Sequence, residues 1–110
     1  MNKETELYLE KFSAEITDLF AQLRAIVFVC SCGSIEEKLW AKLPSYYNGE
    51  NFVRLIPFKD HINIEAAGLA EFAETLSEYK FTPKGMMQIS PKQAVPKEIL
   101  KAAFEKTLTK

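Results

Sequence analysis

The stretch SIEEKLWAKLPSYYNG (34–49), continued by NFVRLIPF (51–58) and HINIE (61–65), decides the fold of this chain. Asn48-Gly49 supplies the positive φ angles of a two-residue turn, so the residues around it are predicted to form a hairpin. The strand after the turn is apolar on both sides, which indicates a central position in a sheet. In the last segment apolar and polar residues alternate, so its two isoleucines are expected to face the core.

Helical periodicity precedes this stretch. Apolar residues recur at three- and four-residue spacing from Leu9 to Cys30, which predicts one long amphipathic helix. Ser34 and Glu37 have the spacing of a capping box, which predicts a second, short helix that Pro44 ends.

The C-terminal part adds shorter elements. We predict a third helix at Leu69–Leu76, a loop at Tyr79–Lys84, a strand at Met86–Ile89 and a last helix that begins at Pro96. The resulting order is α-α-β-β-β-α-β-α in one domain, 1–110. No parallel crossover pattern is present, so the predicted fold class is α+β, a small antiparallel sheet of about four strands with helices packed on one side.

Charge and hydropathy exclude several classes of function. Fourteen basic and fifteen acidic residues give a net charge of -1, which argues against a nucleic-acid partner. The longest apolar run, Ala25 to Cys30, is too short to span a bilayer, and the N-terminus lacks the layout of a signal peptide. Cys30 and Cys32 are too close in sequence to pair easily and are expected to be buried or incidental thiols. A cytoplasmic location without a membrane partner is therefore expected.

Aromatic residues and the single histidine suggest a binding pocket. Flat rings with polar tips make good pocket walls, and the predicted pocket is formed by Trp40, Tyr46, Phe58 and His61. The plainer alternative is that Trp40 belongs to the core and that His61 is a surface residue at the start of a strand. No activated nucleophile, phosphate loop or paired-carboxylate motif is recognisable, so the protein is not expected to be an enzyme.

Several short motifs, taken together, are similar to the YdhG-like domain family, a domain family of unknown function. They are Glu36-Glu37-Lys38-Leu39-Trp40, Leu43-Pro44-Ser45-Tyr46, Ile56 to Ile64, Tyr79-Lys80, Lys84 to Ile89 and Val95 to Leu100. The resemblance implies an intracellular bacterial α+β domain with a curved antiparallel sheet. Some members look like frataxin, and one branch is described as an iron chaperone that supplies iron for iron-sulfur cluster assembly.

This resemblance leads to the first functional expectation, a non-enzymatic protein that holds ferrous iron weakly and meets iron-sulfur assembly proteins. The candidate ligands are carboxylates, with possible help from His61: Glu15, Asp18, Glu36, Glu37 and Glu65. Plainer explanations exist for four of these residues: the helix dipole for Glu36 and Glu37, and a solvated, salt-bridged face for Glu15 and Asp18. The alternative function is a small-molecule or peptide-binding module that uses the aromatic pocket. A third class is a subunit that acts by homo-oligomerisation, which a broad apolar patch at Phe52, Ile56 and Phe58 would signal. The expected state is a monomer or a weak homodimer.

Overall fold

The chain forms a six-stranded antiparallel sheet and three α-helices, counted over residues 1–30 and 34–109, which the computed structural model describes. The elements are α1 (Lys3–Leu9), α2 (Ala14–Val29), β1 (Glu36–Trp40), β2 (Leu43–Asn48), β3 (Asn51–Pro57), β4 (Ile62–Glu65), a 3-10 helix (Ala67–Phe72), β5 (Lys80–Phe81), β6 (Met87–Ile89) and α3 (Lys97–Leu108). The strand order is β1-β2-β3-β4-β6-β5, and all neighbours are antiparallel. The predicted α+β class is confirmed, but the sheet has six strands rather than about four.

The sheet has one covered and one open face. Helices α2 and α3 contact each other and both contact β3, so they lie on the same side, which we call the inner face. Alternation along the strands places Val53, Leu55, Ile62 and Ile64 on that face, where all four are fully buried. Full burial of each such side chain stabilises the fold by roughly 1.5–3 kcal/mol. The opposite side, the outer face, carries no packed α2 or α3.

The prediction of one long N-terminal helix is wrong, because the helix is interrupted between Leu9 and Ala14. Ser13 caps α2, and its Oγ accepts a hydrogen bond from the Ile16 amide at 3.3 Å. A turn from Leu9 to Phe12 precedes this cap. Leu9, Phe12 and Ile16 all pack on the core, so the apolar spacing runs through the break and hides it.

The predicted second helix is also wrong, and β1 stands in its place. Glu37 does not cap a helix with Ser34. Along Glu36–Trp40, exposed and half-buried residues alternate, which is typical of a strand. Ala41 and Lys42, with φ of 50° and 67°, form the two-residue connection to β2. Neither residue is Gly, Asn or Asp, the usual choices for such a turn, so the sequence carries no signal for this hairpin. The later hairpin is confirmed, but its turn is shifted by one residue from the prediction. Asn48 is still in β2 and pairs with Asn51, so the turn residues are Gly49, at φ 65°, and Glu50.

The C-terminal predictions are corrected in part. Residues Ala67–Phe72 form a 3-10 helix instead of an α-helix at Leu69–Leu76, and β5 lies inside the predicted loop. Gly68 lets this segment approach α3 closely, since a Cβ there would overlap the Ala103 carbonyl oxygen. Its amide donates a hydrogen bond to Thr107 Oγ1 at 2.8 Å. The final strand and the final helix are confirmed, and each begins one residue later than predicted, at Met87 and Lys97.

The thiol and membrane expectations have separate outcomes. Cys30 is fully buried, and its Sγ donates to the Val27 carbonyl at 2.9 Å. Cys32 lies outside the described residues. Within residues 1–30 and 34–109, no helix has both the length and the apolar character needed to cross a membrane.

Candidate binding face

Trp40 and Phe52 enclose a buried arginine on the outer face. The central carbon of the Arg54 guanidinium lies 4.4 Å from the Trp40 ring centroid and 4.2 Å from the Phe52 ring centroid. Arg54 is only 6% exposed, although it lies on the side of the sheet that α2 and α3 leave open. Cation–π contact with both rings thus replaces part of the lost hydration.

Hydrogen bonds fix the orientation of the same guanidinium. Arg54 donates from Nε to Ser45 Oγ at 2.8 Å and from Nη2 to Tyr47 OH at 3.2 Å. Nη1 donates to Glu65 Oε1 at 3.0 Å, so the positive charge has a partner on the neighbouring strand β4. The arginine is therefore rigid, and it supports one side of the Trp40 ring.

The apolar surface continues from Trp40 along the outer face. Trp40 is 52% exposed and pairs with Leu43 across the β1–β2 hairpin. Leu43 and Ile56 are each half-buried. Leu43 lies two residues before Ser45 and Ile56 two residues after Arg54, the residue that pairs with Ser45, so both are on the outer face. A row of apolar side chains thus crosses β1, β2 and β3 at one end of the sheet.

Phe58 and His61 extend this row at the turn between β3 and β4. Their rings stack with a centroid separation of 4.7 Å and an interplanar angle of 15°, and the Phe58 amide donates to the His61 carbonyl at 2.8 Å. His61 Nδ1 lies 2.7 Å from Asp60 Oδ1, and this hydrogen bond lowers the pKa of Asp60 below its ordinary value. The contact fixes the imidazole and leaves its Nε2 side for other partners.

A cleft of about 330 Å³ adjoins the stacked rings, and we call it the His61 cleft. Its volume lies at the lower end of the range for small-molecule sites. Its polar lining includes acidic and basic side chains and two primary amides: Asp60, His61, Glu78, Lys80, Gln88 and Gln93.

The side-chain oxygen of Asn63, on the strand next to Gln88 of this cleft, has no hydrogen-bond partner in the described part of the chain. Asn63 pairs with Ile56 on one side and Gln88 on the other, and it is 8% exposed. Within the described part of the chain, its Oδ1 is buried and accepts no hydrogen bond. An unsatisfied buried acceptor costs about 1–3 kcal/mol, so this position weakens the fold.

Tyr46 lies on the opposite face of the sheet from the other predicted pocket residues, Trp40, Phe58 and His61. It is fully buried on the inner face, where its ring meets Phe28 edge to face at 5.7 Å. Burial, together with the nearby Glu37 carboxylate, raises the pKa of Tyr46. Tyr47, its neighbour, is the tyrosine that reaches the outer face.

Glu37, one of the predicted metal ligands, is occupied by other partners. Its carboxylate accepts from Arg24 Nε at 2.6 Å, from Arg24 Nη2 at 3.3 Å and from the Asn2 amide at 2.7 Å. Burial alone would raise the pKa of Glu37, but the hydrogen bonds from Arg24 and Asn2 outweigh it, so the pKa lies below its ordinary value. Asn2 also donates to the Glu37 carbonyl, which ties the N-terminus to edge strand β1.

The other predicted metal ligands are dispersed. Glu65 pairs with Arg54, and Glu36 lies 3.6 Å from Lys38 on β1. Glu15 and Asp18 line one cleft of about 260 Å³ at the start of α2. Over residues 1–30 and 34–109, no three His, Cys, Asp or Glu side chains are grouped closely enough to hold a metal ion.

Two residues of the outer face, Arg54 and Asn63, are absent from the sequence-based site. A charged residue inside the apolar run FVRLIP is the signal that could have identified Arg54, because a central strand seldom holds an unpaired charge. Asn63 carries no comparable signal, since polar residues are normal on alternate strand positions.

The fold and this surface define an α+β protein with one helix-covered and one open sheet face. Comparison with known proteins finds no matching family model, no similar curated protein and no similar solved structure. Membership of the YdhG-like family thus stays a prediction from the motifs.

Proposed function

We propose that the protein is a non-enzymatic binding module that takes a small molecule or a short peptide on the outer face, between Trp40 and His61. The observation that carries this proposal is the exposure of large apolar side chains on the open side of the sheet. Trp40 is 52% exposed and Phe58 41% exposed, and both lie at the same end of that face. Contiguous apolar surface of this kind is typical of interaction sites.

The spacing of the strands indicates what the face can hold. Trp40 is on β1 and His61 directly precedes β4, three strand positions away. At about 4.8 Å between neighbouring strands, the two residues are roughly 14 Å apart. An extended peptide of about four residues spans that distance, and a planar small molecule covers part of it.

The rigidity of Arg54 supports binding on this face. Its two ring contacts and three side-chain partners hold Trp40 in one orientation before any ligand arrives. A side chain that is already ordered loses little entropy on binding, so more of the contact energy appears as affinity. Tyr46 has no role as a wall in this proposal, because it lies under the sheet.

The test is a fragment titration followed by NMR and by the emission of Trp40, the single tryptophan. Aromatic fragments and apolar tetrapeptides should shift the signals of Trp40, Ile56 and Phe58. Phe58→Ala should weaken binding by about tenfold, whereas Phe28→Ala should not, although both phenylalanines are 41% exposed. Equal loss in both variants, or shifts confined to the inner face, would contradict the proposal.

Weak ferrous-iron binding is the second candidate function. It is supported by the family resemblance and by the cleft that Glu15 and Asp18 share. Carboxylates are among the ligands of non-haem Fe(II), and a site with carboxylates alone would hold it weakly. Glu37 and Glu65 are less suitable ligands, because arginines already occupy them. In this proposal iron is cargo, and iron-sulfur assembly proteins would receive it.

Anaerobic calorimetry with Fe(II) tests this second candidate. Saturable binding at hundreds of micromolar metal is expected, and the double variant Glu15→Gln/Asp18→Asn should lose it. Glu4→Gln/Glu6→Gln is the matched control, since it removes two carboxylates from the first turn of α1. The absence of saturable heat in the unmodified protein would rule the candidate out.

A further inference from the structure

The buried amide of Asn63 points to the chemistry of the ligand. Asn63 lies at the His61 end of the proposed site, opposite Ile56 on β3 and two residues after His61 along the chain. Its Oδ1 is an acceptor without a donor in the described part of the chain, and the residue is more than nine-tenths buried. An apolar residue at this position would pack without such a cost, so the amide is explained better by binding than by folding.

We infer that the outer face recognises a planar ligand that carries an N–H donor, such as an aromatic primary amide, and that Asn63 Oδ1 accepts this hydrogen bond. The inference rests on the proposed function and specifies its ligand class. The stacked rings of Phe58 and His61 provide a flat neighbour for an aromatic ring, and Ile56 provides an apolar one. Polar recognition by one convergent acceptor within an apolar surface is the usual arrangement of a small-molecule site.

Access to Asn63 requires a neighbouring side chain to move, because water does not reach Oδ1. Gln88 is directly opposite Asn63 on β6, is half-buried and lines the His61 cleft. Rotation of this flexible side chain towards the cleft would uncover the acceptor. The ligand would then extend from Ile56 towards the His61 cleft, whose volume of about 330 Å³ accommodates a single-ring molecule.

The experiment uses benzamide and acetophenone, which have nearly the same shape and differ in that only benzamide carries N–H donors. Affinities are measured by NMR from the Ile56 methyl and Phe58 ring signals of the whole protein. Benzamide should bind about five- to tenfold more tightly than acetophenone, the effect of one hydrogen bond. In Asn63→Leu this preference should disappear, while acetophenone binds at least as well as before.

Gln88→Ala is the control, and it keeps the experiment decisive if Asn63→Leu folds poorly. It leaves Asn63 in place and shortens the side chain opposite it on β6, so the preference for benzamide should persist or increase. If both probes shift the outer-face signals with equal affinity, the role of Asn63 is overturned and the binding module survives. If neither probe shifts those signals, this inference is overturned, and the proposed function is then decided by the tetrapeptide titration.

Discussion

Two arginine–glutamate pairs lie on opposite faces of the same sheet, and they differ in which partner is buried. In the inner pair, the Glu37 side chain is 7% exposed and Arg24 24% exposed. In the outer pair the order is reversed, with Arg54 at 7% and Glu65 at 35%. One pair therefore buries an anion and the other a cation.

The surroundings of each pair fit the charge that is buried. Glu37 is an acceptor and has hydrogen-bond donors from α2 and from the N-terminal residues. Arg54 is a flat donor and has aromatic rings on two sides. The inner pair joins three segments of the fold, whereas the outer pair supports the exposed ring of Trp40. We infer that the first serves stability and the second serves the binding face.

The largest expected effect comes from Arg24→Met, which leaves the Glu37 carboxylate buried without its guanidinium. Loss of one partner of a buried pair costs about 3 kcal/mol, so the free energy of unfolding should fall by that amount. Urea denaturation followed by far-UV circular dichroism measures it. The double variant Arg24→Met/Glu37→Leu should recover most of the loss, because no unpaired charge is left. A double variant as unstable as the single one would show that the pair is not the cause.

Arg54→Met should have a smaller effect on stability, about 1–2 kcal/mol, because Glu65 is exposed enough to be hydrated when its partner is gone. Methionine also keeps part of the packing between Trp40 and Phe52. The fluorescence of Trp40 distinguishes this substitution from the first. Without Arg54 the Trp40 ring loses its support, so its emission should shift to the red. Arg24→Met should leave that emission unchanged while the protein is folded. Identical spectra for both variants would remove the distinction between the two pairs.

A third effect, smaller again, is a dependence of stability on pH that belongs to the inner pair. The pKa of Glu37 in the folded protein lies below its unfolded value. The contribution of Glu37 to the free energy of unfolding is therefore complete above the pKa of the unfolded chain, about 4.3. It is lost as the pH falls through the pKa of the folded protein. Urea denaturation between about pH 2 and pH 6 should show a steeper acid limb in the unmodified protein than in Glu37→Gln. Parallel curves would contradict the assignment.

The contrast between the two pairs also shows what the sequence could predict. Strand alternation placed Ile62 and Ile64 on the core side, and Asn48-Gly49 located one hairpin, because both signals are local. The spacing of Ser34 and Glu37 led to the wrong prediction of a short helix. The carboxylate of Glu37 accepts a hydrogen bond from Arg24, 13 residues away, instead of capping a helix. A strand is favoured by its tertiary contacts, of which this long-range pair is one, and no local pattern contains them.

The candidate site was predictable to a similar degree. Trp40, Phe58 and His61 were identified from residue type, and they lie on one face of the sheet. Tyr46 was assigned with them because two adjacent tyrosines occupy a strand, and only the pairing of β2 with its neighbours shows which one is buried. The register is fixed partly by the turn at Ala41 and Lys42, which has no recognisable sequence signal.

The smallest effect is expected from Glu65→Gln in the outer pair. The amide oxygen of glutamine can still accept the hydrogen bond from Arg54, and the 35% exposure of Glu65 means that water screens the ionic part of the contact. The free energy of unfolding should therefore change by less than about 1 kcal/mol, and the change should vanish in 1 M salt. Glu71→Gln is the matched control, because Glu71 forms a more exposed pair with Lys106, at 3.2 Å and with side-chain exposures of 57% and 49%. A loss at Glu65 as large as that of Arg24→Met would show that the outer pair, too, is a stabilising element of the fold, and it would end the division of roles between the two faces.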